Sequence, residues 1–328
     1  MTHSNHGFTK ESGSKPTATT NIDTQAFKLL LKGKLSDTVS FSAKYDAVKP
    51  GKSKEGLEYA NVSWMAMPQL SLLAGKDRVN QGGWENKETS VYTLVNSPYV
   101  EYQNKATGMP FAKETSLFHL QFLGGDAATV TLQLVDDLVK SSATSRAQFN
   151  KANRQPATVL EYQGKFGMLS PLVQVGNYDL GHSRFYTLGV KAKTGDFRAI
   201  LDYTMDNVKV DMTGSTKTAK ITNLSLTGDY TIASRAKVQI KYADFNVDGP
   251  GTDVKGNNAY DATNSSWEAN ALADNGQVIM LALWGQAHGQ TFQPYVAAIQ
   301  RSGKFLKTAG GTESKSEMQL RLGVAGDF

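Results

Sequence analysis

Lysine and arginine recur at alternate positions along this chain, and in an extended strand that spacing puts their charges on one face. Lys28, Lys32 and Lys34 share a parity, as do Lys191 with Lys193 and Lys237 with Lys241. Lys44, Lys165, Arg198, Arg235 and Arg321 fall in the same phase of their own runs, with apolar residues at the intervening positions. The acids in that phase are fewer: Asp46, Glu161, Asp202 and Asp206. The chain carries a net charge of +5, which by itself suits nucleic acid, acidic lipid or anionic solutes. Cations spread singly along alternating runs point to a lined passage for anions, and no nucleic-acid partner is expected. The competing role for lysines at strand ends is to reach headgroups or lipopolysaccharide phosphate.

Other chemistry is thinly represented. Asp244-Phe245-Asn246-Val247-Asp248-Gly249 matches the opening of a calcium loop, with oxygen ligands at alternate positions and a glycine for the turn. The bidentate carboxylate that must close such a loop is replaced by Lys255. Asp244, Asn246 and Asp248 are therefore a weak calcium candidate, and no metal site is expected. The five histidines show no ligand spacing. There is no Gly-x-Ser-x-Gly elbow. The Gly-Gly pairs at 82–83, 124–125 and 310–311 precede no helix that could cradle phosphate. No enzyme activity and no cofactor are expected. Cysteine is absent, which excludes a disulfide scaffold and fits an exported chain. The opening Met1-Thr2-His3-Ser4 has neither a basic region nor an apolar stretch, so a secretory signal is expected to have been removed.

The elements that position these charges are strands. Phe27, Leu29, Leu31 and Leu35 alternate with polar residues. So do Val39, Phe41, Ala43 and Tyr45, then Val62, Trp64 and Ala66, then Phe118, Leu120 and Phe122. The same period of two continues through Leu160, Leu188, Phe197–Met205, Val238–Tyr242 and Met318–Phe328. Each run is close to the ~9–11 residues that a tilted strand needs to cross a bilayer. No window approaches the ~18 apolar residues of a membrane-spanning helix. Mean hydropathy is only -0.38, the value expected when lipid-facing and lumen-facing residues alternate.

Connections come in two sizes that take turns. Short ones fall near Ser36-Asp37, Met67-Pro68-Gln69, Gly124-Gly125-Asp126, Gly167-Met168, Gly195-Asp196, Ala233-Ser234 and His288-Gly289. Longer polar ones lie at about 47–56, 79–114, 136–156, 206–218, 244–276 and 301–314. This sorting predicts an all-β, closed antiparallel transmembrane barrel with short periplasmic turns and long extracellular loops. Fifteen runs are legible from residue 26 onward. An even, closed count gives 16 strands, with 14 or 18 as alternatives. Residues 1–25 are a polar segment or an incomplete first strand and loop, and 26–328 are the barrel. The 79–114 loop carries Trp84, Tyr92, Tyr99, Tyr102 and Phe111, enough aromatic surface to fold against an interior wall.

The last run stops on Phe328, with Leu320, Leu322 and Val324 in the same phase. This resembles the terminal signal of Gram-negative outer-membrane proteins, and the whole organisation resembles general diffusion and anion-type porins. Gly326 departs from the aromatic that is common at that position. The resemblance implies an integral place in the bacterial outer membrane and recognition of the last strand by the barrel assembly machinery. It also implies contact with outer-membrane lipid and lipopolysaccharide, a homotrimer, and a long loop folded inward to narrow a channel. The function expected is passive diffusion of small hydrophilic solutes, leaning to anions. The rival expectation is a narrow or plugged recognition barrel whose long loops bind a surface partner.

Overall fold

The computed structural model describes residues 3–9, 17–23, 28–46, 57–87, 97, 114–124, 127–135, 157–178, 183–212, 215–233, 235–248, 275–285, 292–306 and 312–326. The alternating runs are strands. They begin with β1 (His3–Thr9), β2 (Thr17–Asp23), β3 (Lys28–Lys34), β4 (Val39–Asp46), β5 (Leu57–Met67) and β6 (Leu70–Arg78). A single helical turn, α1 (Gly83–Lys87), follows. Then come β7 (Glu114–Gly124), β8 (Ala128–Val135), β9 (Ala157–Gly164), β10 (Leu169–Tyr178), β11 (Ser183–Thr194) and β12 (Phe197–Met212). The series ends with β13 (Ser215–Ile232), β14 (Ala236–Asp248), β15 (Asn275–Gly285), β16 (Phe292–Leu306) and β17 (Thr312–Gly326).

From β3 to β17 the strands form one 15-stranded antiparallel sheet in sequence order, each hydrogen-bonded to its neighbours in the chain. Short connections suffice for this, because antiparallel neighbours need only a tight turn. At the β10 and β12 ends of two such turns, Gly167 (φ 58) and Gly195 (φ 52) adopt the left-handed conformation that favours glycine.

Residues 1–25 differ from expectation. They hold a hairpin in which β1 pairs with β2, from His3↔Asp23 to Thr9↔Thr17. Its strands read His-Ser-Asn-His-Gly-Phe-Thr and Thr-Ala-Thr-Thr-Asn-Ile-Asp. Backbone pairing needs no apolar stripe, so hydropathy alone left this hairpin invisible. β1 lies alongside β17. Among the described residues no hydrogen-bonded ladder joins β3 to β17 or to the hairpin, so the ladder itself is open.

Burial is inverted relative to a water-soluble protein. Leu31, Trp64, Phe122, Leu160, Leu188, Leu201, Ile240, Leu281 and Leu320 are all exposed on one face of the sheet. The opposite face buries Gln133, Glu161, Gln174, Thr187, Asp202, Asn223 and Lys241. Hydrocarbon can solvate the first set, and between its two edge strands the sheet pairs its own backbone, as a spanning structure must.

The inner face also buries apolar residues, such as Val159, Leu172, Phe185 and Ile221, and they are densest around β15. β15 is apolar on both faces, with Val278, Met280, Ala282 and Trp284 buried inside and Ile279, Leu281 and Leu283 exposed outside. With Ala243, Tyr295, Ala297 and Ile299 these inner residues form an apolar cluster across β14–β16. A strand apolar on both sides has no period of two in hydropathy, so alternation could not have assigned its faces.

Candidate functional site: the inner wall and its helical clamp

α1 connects the inner face of one side of the sheet to itself. Its first turn has backbone N–H groups with no partner inside the helix. Asp202 of β12 takes two of them, from Trp84 N at 2.9 Å and Glu85 N at 2.8 Å. Gln174 of β10 accepts from Gly83 N at 3.1 Å. The fit demands two glycines. A Cβ on Gly83 (φ +73) or on Gly189 of β11 would overlap the Asp202 carboxylate, and one on Gly189 would also lie 3.0 Å from the Trp84 ring.

Side chains complete the clamp. Trp84 packs with Leu172 and Ile200, and its indole N–H donates to Ser170 O at 3.0 Å. Lys191 Nζ stands 3.9 Å from the ring centroid, in cation–π geometry. Glu85 pairs with Lys241 of β14 at 2.5 Å and accepts from Ser97 N at 2.6 Å. Burial pushes the Glu85 carboxyl up. Lys241, with bonds from Ser97 and Ser225, outweighs that and holds it below the ordinary carboxylate value. Lys87 pairs with Glu161 of β9 at 2.9 Å, and Glu161 also accepts from Gln163 at 2.6 Å and Gln174 at 2.7 Å. Just before the helix, Asn80 N donates to Gln133 of β8 at 2.7 Å, and Gln133 also contacts His119 of β7. Residues from β8 to β14 thus all reach one short segment, which requires the sheet to curl around it.

The charged residues singled out in the sequence do not share one environment. Lys241 and Glu161 are tied into ion pairs, and Asp202 caps a helix. Lys191 lies over Trp84, and Lys237 lies 4.5 Å from the centroid of Trp284. Arg198 donates to Asp229 at 2.6 Å, and Gln239 holds the other oxygen of Asp229 at 2.7 Å. Arg321 donates to Gln319 through Nε at 3.1 Å and Nη2 at 2.8 Å. Asp206 is buried. Lys44 is half-buried, and Lys32, Lys34, Lys165, Lys193 and Arg235 are exposed. Lys28 stands opposite Asp46 at the far end of β3–β4.

The calcium candidates Asp244, Asn246 and Asp248 belong to β14, and the residues that follow Asp248 as far as 274 lie outside the described residues. In an extended strand alternate side chains share a face but lie about 7 Å apart, too far to converge on one ion. Gln277 Nε2 instead donates to Asp244 Oδ1 at 3.0 Å. At the terminus Leu320 and Leu322 are exposed on the outer face, and Val324 pairs with Pro294 in β16. Phe328 lies outside the described residues, as does most of the 79–114 loop beyond Lys87.

Glu85, Lys87 and Asp229 did not stand out in the sequence. Glu85 and Lys87 sit in a segment with no period, and Asp229 shares its run with Thr and Gly. The signal for the first two was Trp84, an aromatic preceded by two glycines inside an over-long loop.

No protein-family model and no curated protein sequence matches this chain. Solved structures do. The anion-selective porin from Comamonas acidovorans superposes with a TM-score of 0.66 at 13% identity, over 100% of this chain and 97% of that one. The outer membrane channel DcaP of Acinetobacter baumannii gives 0.62 at 12% identity, over 100% and 96%. The trimer form of OmpT, an outer membrane protein of Vibrio cholerae, gives 0.53 at 11% identity, over 98% and 97%. The chain has the porin fold, the fold of integral outer-membrane channels.

Proposed function

We propose that this protein is an outer-membrane porin of a Gram-negative bacterium: a closed, water-filled barrel for passive diffusion of small hydrophilic solutes, with anions favoured. The observation that carries the reading is the inverted burial. An apolar belt faces out, charged and amide side chains face in, and a segment of the long 79–114 loop is fastened among them. Two ion pairs, Glu85 with Lys241 and Lys87 with Glu161, fasten that segment to the wall.

Closure is part of the proposal. β1 lies alongside β17, and one hairpin strand added to the fifteen of the sheet completes the proposed 16-strand barrel. The lean to anions is supported by the excess of cations on the inner face, by the net charge of +5, and by the neighbour from Comamonas acidovorans, an anion-selective porin. A homotrimer is supported by the trimer form of the Vibrio cholerae neighbour. Lipopolysaccharide and the assembly machinery are the partners that this location supplies. The clamp and inner wall have structural and electrostatic roles, and no turnover chemistry is assigned to them.

Planar-bilayer recording tests the reading. Stepwise conductance and a reversal potential of anionic sign in a potassium chloride gradient are expected. The packed, partly apolar β8–β16 wall favours one second reading, a narrow or plugged recognition barrel, and absence of open-channel steps from folded protein would establish it.

A further inference from the structure

The link between β6 and α1, residues 79–82, is the root of the long loop, and Gln133 of β8 fastens it to the wall. Val79 and Gln81 are buried, and Asn80 N donates to Gln133 Oε1 at 2.7 Å. A backbone N–H can only donate, so the amide atom that faces Asn80 must be the oxygen. The Gln133 amino group therefore faces the other way, onto Nε2 of His119. An amide amino group can only donate, so Nε2 must accept, and the imidazole is neutral with its proton on Nδ1. The direction of one backbone bond thus fixes the protonation state and the tautomer of a histidine on another strand.

Protonation reverses this chain of donors. The Nε2–H of an imidazolium donates, and it would meet the hydrogens of the Gln133 amino group. Turning the amide over gives Nε2–H an oxygen, but it sets the amino group against the Asn80 N–H, which also donates. Gln133 can serve either neighbour but never both. A bond from a charged donor is roughly twice as strong as a neutral one, so the imidazolium takes the oxygen and Asn80 loses its acceptor.

The surroundings of His119 add no competing acceptor of this kind along its own row. It is half-buried on β7, between Leu73 of β6 and Gln133 of β8. The charges that act on it are Glu161 of β9 and Lys87 of α1, and these two neutralise each other at 2.9 Å. Further along β6, Asp77 accepts from Asn61 and Lys76 donates to Leu57 O. The next inward residues of β7 and β8, Leu117, Gln121, Thr131 and Val135, carry no charge.

We propose that His119 is an acid-sensitive polarity switch at the root of the long loop. Neutral, it sets the Gln133 amide to hold Asn80; protonated, it turns that amide over and releases residues 79–82 from the wall. α1 itself stays capped by Asp202 and paired through Glu85 with Lys241. The release is therefore confined to the link ahead of it, and channel noise is left to the clamp. The switch acts in a barrel that conducts and in one that does not.

The test is hydrogen exchange of the full-length protein in detergent, read by mass spectrometry on peptides covering 79–82 and corrected for the intrinsic rate at each pH. In the wild type, protection of the Asn80 amide is expected to fall about tenfold between neutral pH and about pH 4. His119→Gln can turn an oxygen to Gln133 at any pH and is expected to keep protection at both. His119→Lys can only donate and is expected to lack it at both. Nitrogen NMR shifts of His119, identified by their loss in H119Q, should show a protonated Nδ1 and a bare Nε2 at neutral pH.

A wild type equally protected at both pH values overturns the switch, as does an acid loss that persists in H119Q. Neutral-pH protection in H119K equal to that of the wild type overturns it too, and so does the opposite tautomer. Should H119K fail to fold, the wild type and H119Q decide alone, since each is its own control across pH.

Discussion

The two sides of the inner face are built from the same alternating pattern and end in opposite states. Along β8–β14 the inward polar groups near α1 are engaged: Gln133 with Asn80, Gln174 with Gly83 and Glu161, Asp202 with α1, and Lys241 with Glu85. Along β3–β5 Lys32 and Lys34 are exposed, while Asn61 bonds Asp77, Ser63 bonds Ser71, and the Ser42 hydroxyl is buried. The difference follows from what each wall faces. A helix end and a buried glutamate require partners, because an unsatisfied polar group away from water is expensive. The exposed Lys32 and Lys34 do not. One wall therefore holds a loop in place.

Breaking the clamp is the strongest challenge to this contrast. Lys241→Ala leaves Glu85 buried without its counter-charge and is expected to destabilise the protein by about 3–5 kcal/mol. It should lower the urea midpoint in detergent and raise open-channel noise as α1 loosens. Trp84→Ala removes the aromatic anchor from the Leu172–Ile200 contact, at a cost of about 3 kcal/mol. Conductance should rise if α1 narrows the passage, and unchanged conductance would place the narrowing elsewhere. Asp202→Ala deletes the cap that takes the Trp84 and Glu85 amides, at about 1–2 kcal/mol, with a smaller rise in noise.

Acid provides a graded version. Because Glu85 is held below its ordinary value, its contribution is complete above the unfolded carboxylate value of about 4.3 and is lost only as pH falls through the lower folded value. Channel noise should stay flat from neutral pH to about 5 and increase well below that. An onset near pH 6 would show that another group governs the loop. On the open wall, Ser63→Ala should change stability by no more than about 0.5 kcal/mol. A loss comparable to that of Trp84→Ala would mean that this wall is packed as tightly as the other.

The outer face was the most legible part of the chain. Leu29, Leu31, Trp64, Phe122 and Leu201 announce it by parity alone, because each strand contacts hydrocarbon through every second residue. Parity also put Lys32, Lys241 and Asp202 on the inner face. It could not say that Lys32 meets solvent, that Lys241 meets a glutamate 156 residues earlier, or that Asp202 ends a helix. The hairpin at His3–Asp23 and the apolar inner face of β15 were hidden for opposite reasons, the first lacking apolar residues and the second lacking polar ones.

By itself, then, the sequence determined the strand period, the order of turns and loops, and which side of the alternating strands meets lipid. These are local properties, set by the two-residue repeat and by turn chemistry. Only the tertiary structure decided which inward charges cancel and which stay open. Pairing there joins residues far apart in the chain, through a loop whose own sequence has no period to read.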